Sequence, residues 1–230
     1  MFYLDPLYFV FMIPAIIFVL FAQHRVKSTF QKYSQVMTNQ GITGAQAAAE
    51  ILRSNGIYDV QIEHIPGQLS DHYDPRSKVL RLSDSVYGSK SVAAVGVAAH
   101  ECGHALQHAR GYAPLAMRSA IVPVANLGSM LGPIMLIAGV IIGLTQLAWL
   151  GIIFFAAGTV FAAVTLPVEF NASSRAMAQL TTLGIFDRTE YDQGRKVLNA
   201  AALTYVAGFA AALLQLLYYI SLVSGMRRSD

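Results

Sequence analysis

The stretch Ser91–Arg110, SVAAVGVAAHECGHALQHAR, decides how the rest of this 230-residue chain is read. It contains no proline, and Gly111 after it is a natural helix stop, so the spacing predicts one long helix. Its first half is small and apolar all round, as in a helix buried in a core or resting on membrane helices. Within it stands His100-Glu101-Cys102-Gly103-His104. Positions four apart share a helix face, so His100 and His104 point the same way, as two ligands of one metal must. Glu101 is turned about 100° from His100. It can reach a water at the metal but cannot be a third ligand. This is the H-E-x-x-H pattern of zinc peptidases.

Composition bounds what surrounds that helix. The chain is 55% hydrophobic and 13% charged, against about 25% charged in soluble domains. That imbalance indicates an integral membrane protein. The net charge of +3 is spread thinly. No basic patch with interleaved aromatics is present, which argues against nucleic acid as a partner. Cys102 is the one cysteine, which excludes an internal disulfide and accords with a reducing compartment. It reads as a small buried residue rather than a reactive thiol.

Upstream, Pro6 to Gln23 carries no charge and reads as a first membrane helix. It lacks the basic leader and small-x-small cleavage site of a signal peptide. Arg25, Lys27 and Lys32 follow it at once. Residues 24–118 form the soluble, peptidase-like region. Thr43 is an N-cap for a helix over Gly44 to Ser54, with Gly56 as its stop. Asp59 to Ile65 and Lys78 to Leu82 alternate like strands around the turn-rich DHYDPRS, suggesting a small hairpin or sheet. The strand just before the HExxH helix would offer a free edge to an extended substrate. His72 and Asp74 read as turn chemistry rather than ligands.

Downstream, residues 119–168 carry no charge over fifty positions, enough for two spans with a turn near Thr145-Gln146. Trp149 is placed as an interfacial anchor. Two spans return the chain to the side it left, so Glu169 is expected on the same side of the membrane as His100. Glu169 opens a helical stretch (169–196, with its connector) and is the only acidic residue between Glu101 and Asp187. A carboxylate emerging from an apolar span is costly unless paired or bound to metal, so Glu169 is the candidate third zinc ligand. The alternative is a pair with Arg175. His108, one turn past His104, is a rival ligand or a substrate contact. Residues 197–226 form the fourth span, with Asn199 and Tyr205 near its start. The predicted fold is therefore a mainly α membrane protein, about four transmembrane helices with a small α+β zincin-like peptidase domain. Ten Lys and Arg lie between the first two spans and four between the last two, placing the site on the cytoplasmic side. Arg227-Arg228 point the other way.

Zinc hydrolysis needs three protein ligands and an open position. Here those are His100, His104 and Glu169, holding one Zn²⁺ per chain. Glu101 would take the proton from the attacking water and pass it to the leaving amine. Tyr205, Asn171 and Arg175 are candidates to stabilise the oxyanion, with Tyr205 preferred. Each zinc histidine also needs an acceptor for its other N–H. The expected partners are a peptide or protein substrate, membrane proteins among them, and the lipid bilayer.

HECGHALQH, LPVEFNASSRA and the upstream DHYDP resemble the neutral zinc metallopeptidases of bacterial membranes, the YugP-like family. The likeness extends to TGAQAA, LNAAALTYVAG and the four apolar spans. That family is in turn similar to the HtpX-type membrane gluzincins, whose third ligand is a Glu on a later helix. The resemblance implies Glu169 in that role. In those gluzincins the fifth residue of the Glu169-Phe170-Asn171-Ala172-Ser173 stretch is usually Asp and supports a zinc histidine; here it is Ser173, and a His–Ser contact or Asn171 would substitute. Two other readings compete. A site-2-type intramembrane protease would need an Asp in a later span, where none occurs. A non-catalytic zinc-binding or scaffold protein would have no use for Glu101.

Overall fold

The structure, a computed structural model, describes residues 5–226; Arg227 and Arg228 lie outside the described residues. The elements in order are α1 (Pro6–Ser34), α2 (Gly44–Ser54), β1 (Gln61–Ile65), β2 (His72–Asp74), β3 (Val79–Ser83), α3 (Val92–Ala109), α4 (Ala113–Ile141), α5 (Thr145–Thr182) and α6 (Arg188–Met226). Helices α1, α4, α5 and α6 are long and apolar enough to cross a membrane. With the small sheet they make a mainly α membrane protein carrying an α+β part.

By internal packing the chain divides into two units. One takes the described residues up to Ala22, Met117–Leu166, and the described residues from Thr204 on; the other takes Gln23–Ala116 and Pro167–Leu203. In the first, α4 and α5 pack antiparallel through glycines. A Cβ on Gly132 would lie 2.8 Å from Phe155 N, and Cβ atoms on Gly139 and Gly151 would overlap the backbone at Ala148 and Leu136. Small residues at such crossings let two backbones approach where no water drives helices together. The turn joining the two helices is centred on Gly143, whose φ is +72°. Thr145 and Gln146, expected at the turn, instead begin α5. The left-handed glycine, free of a Cβ penalty, reverses the chain just before them. Trp149 is partly buried against Leu136, Ala148, Ile152 and Val223. Val10, Ile13, Ile17 and Leu20 of α1 stay exposed, as lipid-facing side chains would.

The second unit is built on α3. Ser91 caps it by accepting from Ala94 N, and Gly111, at φ +60°, ends it. Val92 to Val95 are wholly buried, and small side chains at Ala94, Ala98 and Cys102 let α2 lie close. Helix α2 starts with the reciprocal Thr43–Gln46 capping box and is followed by Gly56 at φ +70°. Such a cap contributes about 1 kcal/mol. Ile51, Leu80, Leu82, Leu106 and Leu180 fill the core between α2, the sheet, α3 and α5.

Of the expected hairpin or sheet, the strands form a sheet. Its order is β1-β3-β2, with β1 parallel to β3 and β2 antiparallel to it. Strand β3, expected to offer a free edge, is the central strand; β2, inside the stretch read as turn, is an edge. Asp74 does serve the turn that follows, accepting from Arg76 N and Ser77 Oγ. The helices also run further than the apolar stretches suggested. α1 continues through Arg25, Lys27 and Lys32, and α5 passes without a break from its apolar half through Pro167 to Thr182.

Candidate metal centre

His100, Glu101 and His104 sit on the middle turns of α3, Glu169 on α5 where that helix belongs to the second unit. Gly103 lets the two helices meet there. A Cβ on it would overlap the Ala172 carbonyl oxygen and lie 2.9 Å from its carbon. The residues either side of this crossing, His100 and His104 on α3 and Glu169 and Ser173 on α5, are thereby brought face to face. Glu169 is 2% exposed. Its Oε2 lies 3.2 Å from His100 Nε2 and 3.6 Å from His104 Nε2. The candidate ligand atoms of the three residues all fall within 4.8 Å of one another.

The donor set fits zinc. Tetrahedral zinc with bonds of about 2.0–2.1 Å keeps its donors roughly 3.3 Å apart, close to the 3.2 and 3.6 Å between Glu169 and the two histidines. The far side of each imidazole is held as a metal ligand needs. His100 Nδ1 lies 3.0 Å from Ser173 Oγ, and His104 Nδ1 lies 3.0 Å from Gln107 Oε1. With Nδ1 occupied, each Nε2 is turned to the common point. Electrostatics favour a cation at that point. Burial alone would push the His104 imidazole down, yet its hydrogen bond to Glu169 and the nearby Glu101 charge hold it above the ordinary histidine value.

Glu101, 8% exposed, is turned from the three as its helix position requires. Its Oε2 accepts the backbone N–H of Tyr73 at 3.0 Å. That N–H faces away from β3, so edge strand β2 is fastened along α3 beside the carboxylate. The Tyr73 hydroxyl lies 2.8 Å from His108 Nδ1. Burial, with the Asp59 and Asp74 charges, pushes the Tyr73 phenol up to about 12, so it stays protonated. His108 is exposed and pairs with Tyr73; it is not among the three clustered residues. His72 faces Arg81 across the outer sheet surface.

Of the other expected residues, Asn171 and Arg175 join a hydrogen-bonded chain rather than Glu169's cluster: Arg175 Nε donates to Asn171 Oδ1 at 2.6 Å. Tyr205 lies on α6 in the other unit and is 38% exposed. Cys102 is fully buried against α2, and burial pushes its thiol pKa far up, as an inert core residue requires. Gln107 and Tyr73 escaped the sequence reading. Gln107 had a signal: it is three residues after His104, on the same helix face, and polar amid small apolar neighbours. The Tyr73 contact is made by backbone and had none.

In this mainly α membrane protein the helix carrying His100 and His104 meets a buried glutamate from a later helix, a donor set of the kind that holds zinc. Comparison with known proteins gives the particular family. The chain belongs to the family described as "Putative neutral zinc metallopeptidase", whose model matches residues 8–224. It is 48% identical over 199 residues to a Bacillus subtilis (strain 168) protein named "Putative membrane protease YugP", covering 86% of this chain and 88% of that one. No solved structure matches it.

Proposed function

We propose that this protein is a membrane-embedded zinc-dependent endopeptidase of gluzincin type, with His100, His104 and Glu169 as ligands and Glu101 as general base. The observation that carries the reading is the convergence of both histidine Nε2 atoms on the buried Glu169 carboxylate. Zinc bound there supplies Lewis-acid chemistry, acidifying a water and polarising a carbonyl. The chain's own residues do the rest. Glu101 takes the proton of the attacking water and delivers it to the leaving amine. Its hydrogen bond from Tyr73 N–H holds the carboxylate in place beside edge strand β2. The substrate is a peptide or protein, membrane proteins among them, and the excess of Lys and Arg in residues 24–118 supports a cytoplasmic site.

The test is Glu101→Gln. It should lower peptide cleavage by about 10²–10⁴-fold and leave zinc bound; unchanged cleavage would refute the mechanism. Zinc binding without any cleavage by wild type would favour the scaffold reading.

A further inference from the structure

Gln107 is wholly buried on α3, one turn past His104. Its amide makes three contacts: Oε1 faces His104 Nδ1 at 3.0 Å, while Nε2 donates to Val168 O at 2.8 Å and to Asn171 Oδ1 at 3.1 Å. The direction of every bond follows from its partners. A backbone carbonyl only accepts, so the Gln107 nitrogen must face Val168 and its oxygen must face His104. Arg175 only donates, so the Asn171 oxygen must face both Arg175 Nε and Gln107 Nε2. With an acceptor opposite it, His104 Nδ1 must carry the proton, which leaves the Nε2 lone pair for the metal. Gln107 also grips the turn of α5 that carries Glu169, since Val168 and Asn171 flank that residue.

Resting on the metallopeptidase reading above, we propose that Arg175, Asn171 and Gln107 form a hydrogen-bond relay, with Arg175 and Gln107 both donating to Asn171 Oδ1, that fixes His104 in its Nδ1–H form and clamps the Glu169 turn against it. Gln107 is a positioning residue: it sets metal affinity without touching metal or substrate. The arrangement pairs the first histidine with a hydroxyl, Ser173, and the second with a buried amide. No carboxylate is spent on either, so the centre's negative charge rests on Glu169 and the neighbouring Glu101.

The experiment measures the zinc dissociation constant by chelator competition on the full-length protein in detergent, beside melting temperature and the ¹⁵N-histidine spectrum of the zinc-loaded form. Wild type should show a slowly exchanging His104 Nδ1–H. Gln107→Met, similar in volume but unable to accept, should weaken zinc binding about 10–100-fold and expose that proton to rapid exchange. Gln107→Glu keeps an acceptor and should restore the slow proton. Arg175→Met, partly exposed and two bonds away, should fold normally and weaken zinc binding by a smaller factor. Wild-type affinity in both Gln107→Met and Arg175→Met would overturn the relay. So would a rapidly exchanging Nδ1–H in wild type, whether or not Gln107→Met folds. Wild type that holds no zinc would instead overturn the metal reading beneath it.

Discussion

His104 shows how a metal-free site of this kind is held in tension. Two carboxylates, Glu169 in hydrogen-bond reach and Glu101 nearby, raise its pKa against the opposing effect of burial. A histidine whose folded pKa is raised stabilises the fold below its unfolded value of about 6.5, and that contribution is lost as pH rises through the folded pKa. Metal-free protein should therefore melt at lower temperature as pH climbs through that range. Zinc reverses the sign, because its ligands must be deprotonated to bind. Melting curves with and without chelator across this range check the crossover. A metal-free melting temperature that rises with pH would show that His104 does not carry this charge. Glu101 differs in kind: it accepts from a backbone N–H, so its orientation depends on where β2 runs and not on a neighbouring side chain.

At the scale of elements, the site is made by a helix crossing, and Gly103 sets its closeness. The atoms an added Cβ would meet are backbone atoms of Ala172, which cannot rotate away. Gly103→Ala must push α5 outward, at a cost of about 1–3 kcal/mol. Glu169 and Ser173 move with it, so zinc affinity should fall by about tenfold or more. Chelator competition on the folded variant measures this, and an unchanged affinity would mean that the crossing has slack. The same scale shows what could be read from sequence and what could not. Thr43, Gly56, Ser91 and Gly111 mark their helix ends locally, and α2 and α3 begin and end there. Strand β2 is three residues, His72–Asp74, followed by Pro75. Alone such a segment is a turn; it becomes a strand only by pairing with β3, a contact between residues not yet brought together. The parallel pairing of β1 with β3 is hidden for the same reason. Helix α5 reads as two because its composition turns polar after Pro167, although the backbone continues through it. Gly143 is one of several glycines in the apolar run, and only its left-handed backbone marks it as the turn.

At the scale of the whole molecule, the chain brings together ligands that are distant in sequence. HExxH supplies two from one helix and is legible at once. The third had to be inferred from the cost of a carboxylate at the end of an apolar span, and the structure does set Glu169 against both histidines. The measurement that tests this most directly is bound zinc per chain in purified wild type beside Glu169→Ala, each checked for helix content. Wild type should hold about one zinc, and the variant should lose it while staying folded. Equal zinc in both would contradict the three-ligand centre and, with it, the reading of this protein as a gluzincin-type peptidase.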